Sequence, residues 1–214
     1  MILKMKSVSG RAIALGLSIG IFSLAIATQP AFAHHAMGGR MPANFFEGFI
    51  TGLAHPIIGF DHFAFIIAVG LFAALKPQKG WWIPVAFVIA TLGGTGLHLL
   101  KLNIPFSEAF VAASIISVGL LFAANCTPAL AGAIAFSALA GIFHGYAYGE
   151  SIVGAEPTPL IAYLMGFAAI QLAIASGVCW GWRALQTKGS LTASSLRFVG
   201  LIFCAIGATF LAIG

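Results

Sequence analysis

Apolar runs of about 20 residues, the length of a membrane-crossing helix, recur along this chain from end to end. After residue 33 they fall at 45–75, 81–101, 107–125, 128–149, 158–185 and 193–213. The stretches between them, "KPQKG", "KLNIP", "NCTP", "EPTP" and "QTKGS", carry turn chemistry. The pattern predicts an all-α fold, a polytopic membrane helix bundle of six transmembrane helices. The first and fifth runs are longer than a crossing needs and should tilt, kink or protrude.

The N-terminus reads differently. Lys4, Lys6 and Arg11 precede "AIALGLSIGIFSLAIA", and "TQPAFA" follows, ending at Ala33. A basic region, a short apolar region and an A-x-A site are the parts of a secretory signal peptide. The expected organisation is therefore a signal peptide over 1–33 and a six-helix transmembrane domain over 34–214. Cleavage would place the mature N-terminus, and after six crossings the C-terminus, on the outer side of a bacterial inner membrane. The alternative is an uncleaved first helix.

Charge supports that topology. Lys76, Lys79, Arg183 and Lys188 then lie in inner loops, with Arg197 at the start of the last span, against Arg40 and Lys101 outside. Basic residues thus favour the inner side, and Trp81, Trp82, Trp180 and Trp182 fall at the same interface. Across its 214 residues the chain is 60% hydrophobic and 7% charged, where a soluble domain carries roughly 25% charged residues. The net charge of +5 is scattered, with no basic cluster to follow a phosphate backbone, so no nucleic-acid partner is expected. Cys126, Cys179 and Cys204 form neither a disulfide framework nor a thiolate metal site.

Against this background the ionisable residues inside the runs stand out, because burying them in lipid costs at least a few kcal/mol each. They are His55, Asp61 and His62 in the first run, His98 in the second and His144 in the fourth, with Glu150 just beyond. In the expected topology every one of these histidines lies in the outer half or at the midplane, which suits a site loaded from outside. His55 and His62 return to nearly the same helical face about 10 Å apart, so a straight helix cannot bring both to one ion. Pro56 and Gly59 make a break between them plausible. The expected arrangement is a kinked helix carrying successive stations. Gly141, Gly145 and Gly149 make a small-residue stripe beside His144, Gly48 and Gly52 precede His55, and "GGTGLH" leads to His98. Such stripes let helices approach closely, so the three histidine-bearing helices could share one packed interface.

Imidazole with carboxylate suits first-row divalent ions. The metal candidates are His55, Asp61, His62, His144, Glu150 and His98, with His34 and His35 as capture groups at the mature terminus. Most have a plainer reading: a structural role for His55, Asp61 and His62, His98 reaching interfacial water, Glu150 a loop residue, His34 and His35 a disordered end. Glu47, Glu108 and Glu156 read as rim or loop carboxylates.

"HPIIGFDH" and "FHGYAYGE", in six spans behind a signal peptide, resemble the HupE/UreJ family of nickel permeases. The likeness spans essentially the whole mature chain and rests on His55, Pro56, Gly59, Asp61 and His62, then His144, Gly145, Ala147, Gly149 and Glu150. It implies secondary transport of Ni²⁺ or Co²⁺ into the cell for hydrogenase or urease maturation. The metal would be cargo, with no permanently bound cofactor. His55, Asp61 and His62 would lead the pathway, with His144 and Glu150 next. The scheme expected is capture by Glu150, His98 and the His34–His35 terminus, passage to His55 with His144, then to Asp61 with His62. No "GxxxxGK[ST]" loop is present, so the chain itself does not use ATP. Two rivals remain on the residues alone: a zinc-dependent intramembrane hydrolase and a b-type cytochrome.

Overall fold

The computed structural model describes residues 40–76 and 78–213. The expected signal peptide and the His34–His35 terminus lie outside the described residues. Among those described, seven α-helices and one short 3₁₀ turn account for the regular structure. They are α1 (Phe45–Ile58), α2 (Phe60–Ala74), α3 (Trp82–Leu99), α4 (Ser107–Ala123), α5 (Leu130–Gly149), α6 (Pro157–Thr187) and α7 (Ala193–Ile213), with the 3₁₀ turn Glu150–Ile152 after α5. Helices α3, α6, α7 and α5 with its 3₁₀ extension are long and apolar enough to cross a membrane, and the α1–α2 pair makes a fifth candidate. Helix α4 is apolar but has 17 residues.

The first apolar run is a broken span. Its two helices meet at Gly59 with a bend of 82°. Pro56 stays inside α1, and the chain turns three residues later. Gly59 has φ −71° and ψ 94°, an extended backbone open to any residue. The reason for glycine there is space: a methyl group on it would sit 2.7 Å from Cδ2 of His62. Gly59 leaves room for the imidazole.

Helix α2 is the axis of the bundle. From Ala64 to Ala74 every residue but Ile67 is buried, as suits a helix that is hydrophobic all round. Around it the remaining helices form three close pairs, α1 with α6, α3 with α5 and α4 with α7. Glycine sets each approach. Gly48 and Gly52 lie against the backbone of Pro159 and Tyr163 in α6. Gly141 and Gly145 lie against Phe87 and Thr91 in α3, and Gly119 and Gly200 meet across α4 and α7. Contacts this close maximise dispersion between backbones where lipid offers no hydrophobic drive. The Thr95 hydroxyl adds a bond across the second pair, donating to the Gly145 carbonyl at 2.8 Å.

The stripe of Gly141, Gly145 and Gly149 therefore packs a neighbour as expected. A single interface shared by three histidine helices does not form, since α1 packs on α6 and α5 on α3. In "GGTGLH" only Gly94 is packed, while Gly93 and Gly96 face open space. Arg183 of α6 closes one end of the axis by donating to the carbonyls of Ala73 (2.9 Å), Ala74 (3.3 Å) and Lys76 (2.9 Å). A cation among terminal carbonyls is well placed to offset a helix dipole.

Candidate functional site

Three helices build the first polar node in the apolar core. His62, in the first turn of α2, is buried and faces His144 of α5, which is fully buried. Their Nδ1 atoms are 2.8 Å apart. On its other side, His144 Nε2 lies 3.1 Å from Ser114 Oγ of α4. The Ser114 hydroxyl has one proton and donates it to the Val111 carbonyl at 2.7 Å. It must therefore accept from His144, which assigns the Nε2–H tautomer to a neutral His144. His62 Nδ1–H then donates to His144 Nδ1, and one chain of hydrogen bonds runs through α2, α5 and α4. Phe65 packs on the His144 ring at 4.5 Å, and Phe87 stands edge-on at 5.9 Å.

A second node surrounds His55 in the last turn of α1. Its Nδ1 lies 2.8 Å from Ser151 Oγ and 3.0 Å from the Tyr163 hydroxyl. Both hydroxyls are also within reach of the Tyr148 carbonyl, at 3.0 and 3.3 Å. The 3₁₀ turn supplies Ser151 and α6 supplies Tyr163. Between the nodes stands Tyr148 of α5, whose ring contacts His55 at 5.0 Å and His62 at 4.3 Å.

Asp61 has a local task. Its Oδ1 accepts the backbone N–H of His62 at 2.8 Å, satisfying one of the orphan donors of the α2 N-terminus. A carboxylate in a first turn is also favoured by the helix dipole, by about 0.3–1 kcal/mol. His98 is half-buried at the end of α3, where its Nδ1–H donates to the Tyr146 carbonyl at 2.9 Å. Glu150 is exposed, in the turn that delivers Ser151.

The six candidates thus do not converge. Among the described residues no three His, Cys, Asp or Glu side chains stand together as a metal cage. His62 pairs with His144, where the expected partner of His144 was His55; His55 instead meets hydroxyls. Helix spacing fixes which residues share a face and leaves open how each helix is rotated toward its neighbours. Ser114, Ser151, Tyr148 and Tyr163 were not singled out by sequence. Tyr148 and Ser151 did carry a signal, since they follow His144 by four and seven positions and so return to its face. Ser114 and Tyr163 carried none: lone hydroxyls in apolar helices are ordinary.

A family model described as HupE / UreJ protein matches residues 22–210. Protein HupE of Rhizobium leguminosarum bv. viciae is 34% identical over 153 residues, which cover 69% of this chain and 74% of that protein. No solved structure matches.

Proposed function

We propose that this chain, which belongs to the HupE/UreJ family, imports Ni²⁺. That family is one of membrane transporters, not enzymes, and it is associated with nickel or cobalt transport for hydrogenase and urease. Membership sets aside the zinc hydrolase and the cytochrome. Ni²⁺ as the cargo, with Co²⁺ as the nearest competitor, and the route past the histidines are our reading.

The observation that carries it is the His62–His144 pair, held in the apolar core beside a broken span. His144 Nδ1 already carries a lone pair, and His62 Nδ1 gains one when its proton shifts to Nε2, so both rings can take a divalent ion as neutral ligands. With metal–nitrogen bonds of ~2.1 Å, two nitrogens at right angles about an ion stand ~3 Å apart. The observed 2.8 Å is close to that spacing, so loading asks for ring rotation more than separation. A pair of imidazoles fills only part of the coordination sphere of a divalent ion, which suits an ion passed along with part of its water retained.

Glu47, Glu108, Glu150 and Glu156 lie at one end of the bundle, and Lys76, Lys79, Arg183, Lys188 and Arg197 at the other. We place the acidic end outside and the basic end in the cytoplasm. The bundle then sits in the inner membrane with six spans, behind a cleaved signal peptide over 1–33. Cations collect at Glu150, His98 and the His34–His35 terminus, pass His55, and reach Asp61 and the His62–His144 pair. Entry into a cell that is negative inside supplies about 4–5 kcal/mol per 100 mV for a double charge, enough to drive uptake without ATP. The test is radiolabelled Ni²⁺ uptake in cells lacking their own nickel importers, expressing this chain or its Asp61→Asn variant at matched membrane levels. Wild-type uptake that the variant loses is the expected result. Full uptake by Asp61→Asn would remove the carboxylate from the route, and no uptake of Ni²⁺ or Co²⁺ by wild type would remove transport.

A further inference from the structure

Tyr148 is in ring contact with both histidine nodes. Its phenol meets His55 edge-on at 5.0 Å and His62 at 4.3 Å, and Phe167 closes a third side at 4.7 Å. The side chain is fully buried. Its hydroxyl nonetheless makes no hydrogen bond to the protein among the described residues. Burying a hydroxyl without a partner is unfavourable, and phenylalanine would fill the same space without that cost. The Asp61 carboxylate is near enough to act electrostatically on this hydroxyl. An orphaned buried donor–acceptor between two stations calls for a visitor that is polar.

We propose that Tyr148 is the partition of the pathway: its ring separates the His55 station from the His62–His144 station, and its hydroxyl accepts a hydrogen bond from a water carried by the ion as it crosses. The proposal rests on the transport reading. Water is the donor that a divalent ion brings with it, and it stays on the positions that the protein does not fill. Water on such an ion is a strong donor, and a phenol oxygen can accept from it. The ring excludes bulk water from the apolar core, and the hydroxyl gives the ion's own water a partner during the step.

The test compares wild type with Tyr148→Phe in the same importer-deficient cells at matched membrane levels. Ni²⁺ uptake is followed against concentration, and the purified proteins are melted in detergent. Tyr148→Phe keeps the ring and removes only the unpartnered group. The expected result is a maximal uptake rate lowered about tenfold, the scale of a lost supporting contact at a metal site. The half-saturating concentration should hardly change, and the melting temperature should be unchanged or higher. Wild-type rates in Tyr148→Phe overturn the proposal and leave transport standing. A lower rate together with a lower melting temperature also overturns it, since the hydroxyl is then structural. A silent wild type overturns both readings.

Discussion

The two histidine nodes are built from similar parts toward different ends. At His55 the imidazole nitrogen faces two hydroxyls, Ser151 and Tyr163, which can orient a ring but compete poorly for a divalent ion. At His62–His144 two imidazole nitrogens face each other, and the outer nitrogen of His144 is held by the Ser114 hydroxyl. Histidines that ligate metals usually use one nitrogen for the ion and the other for an orienting partner. By that rule Ser114 orients His144, and Ser151 with Tyr163 orient His55. The difference lies in redundancy. Among the described residues one serine supports the deep node, while two hydroxyls support the other.

Four substitutions probe that contrast. The largest effect is expected from His144→Ala, which removes half of the deep pair. Uptake of labelled Ni²⁺ should fall by more than about a hundredfold, beyond the 10–100-fold typical of a lost supporting residue. Retained uptake would move the transfer site away from this node. Gly59→Ala comes next. Its methyl group, 2.7 Å from Cδ2 of His62, must push the imidazole off His144. Uptake should drop about tenfold or more while the protein still inserts; a wild-type rate would show that the ring position does not matter. The smallest effects belong to the orienting serines, and here the comparison itself is tested. Ser114→Ala leaves the His144 N–H without its acceptor, costing about 1–3 kcal/mol as a buried unsatisfied group, and should raise the half-saturating concentration several-fold. Ser151→Ala leaves His55 with Tyr163 and should do less. Thermal melts and uptake curves of the two variants side by side would reverse the assignment if Ser151→Ala proved the more damaging.

Much of this was legible in the sequence. The six apolar runs begin and end within a few residues of the helices, because length, hydropathy and turn residues act locally. The break between His55 and His62 followed from Pro56 and Gly59, although the chain turns at Gly59, where space for His62 decides. The stripe Gly141–Gly145–Gly149 announced a close neighbour. The identity of that neighbour was not legible, nor was the mutual rotation that sets His144 against His62. Those depend on how seven helices share one axis, which no single periodicity records. Asp61 was read as a charge for an ion, and its bond to the His62 N–H in the first turn of α2 was missed, because the position of the break decides which residue stands in a first turn.

The bend at Gly59 also has an electrical consequence. Helix α1 ends there with its carbonyls exposed in sequence, one of them, that of His55, taken by the Gly59 N–H at 3.1 Å, and α2 starts there with its amides. Each helix end acts as roughly half an elementary charge, negative at the close of α1 and positive at the opening of α2, and Asp61 masks the positive one. Paired half-helices of this kind are a means of holding ions inside bilayers. Peptide dipoles do not titrate. Acid that protonates every imidazole in the bundle would leave the dipole of α1 in place, as a permanent feature of the backbone.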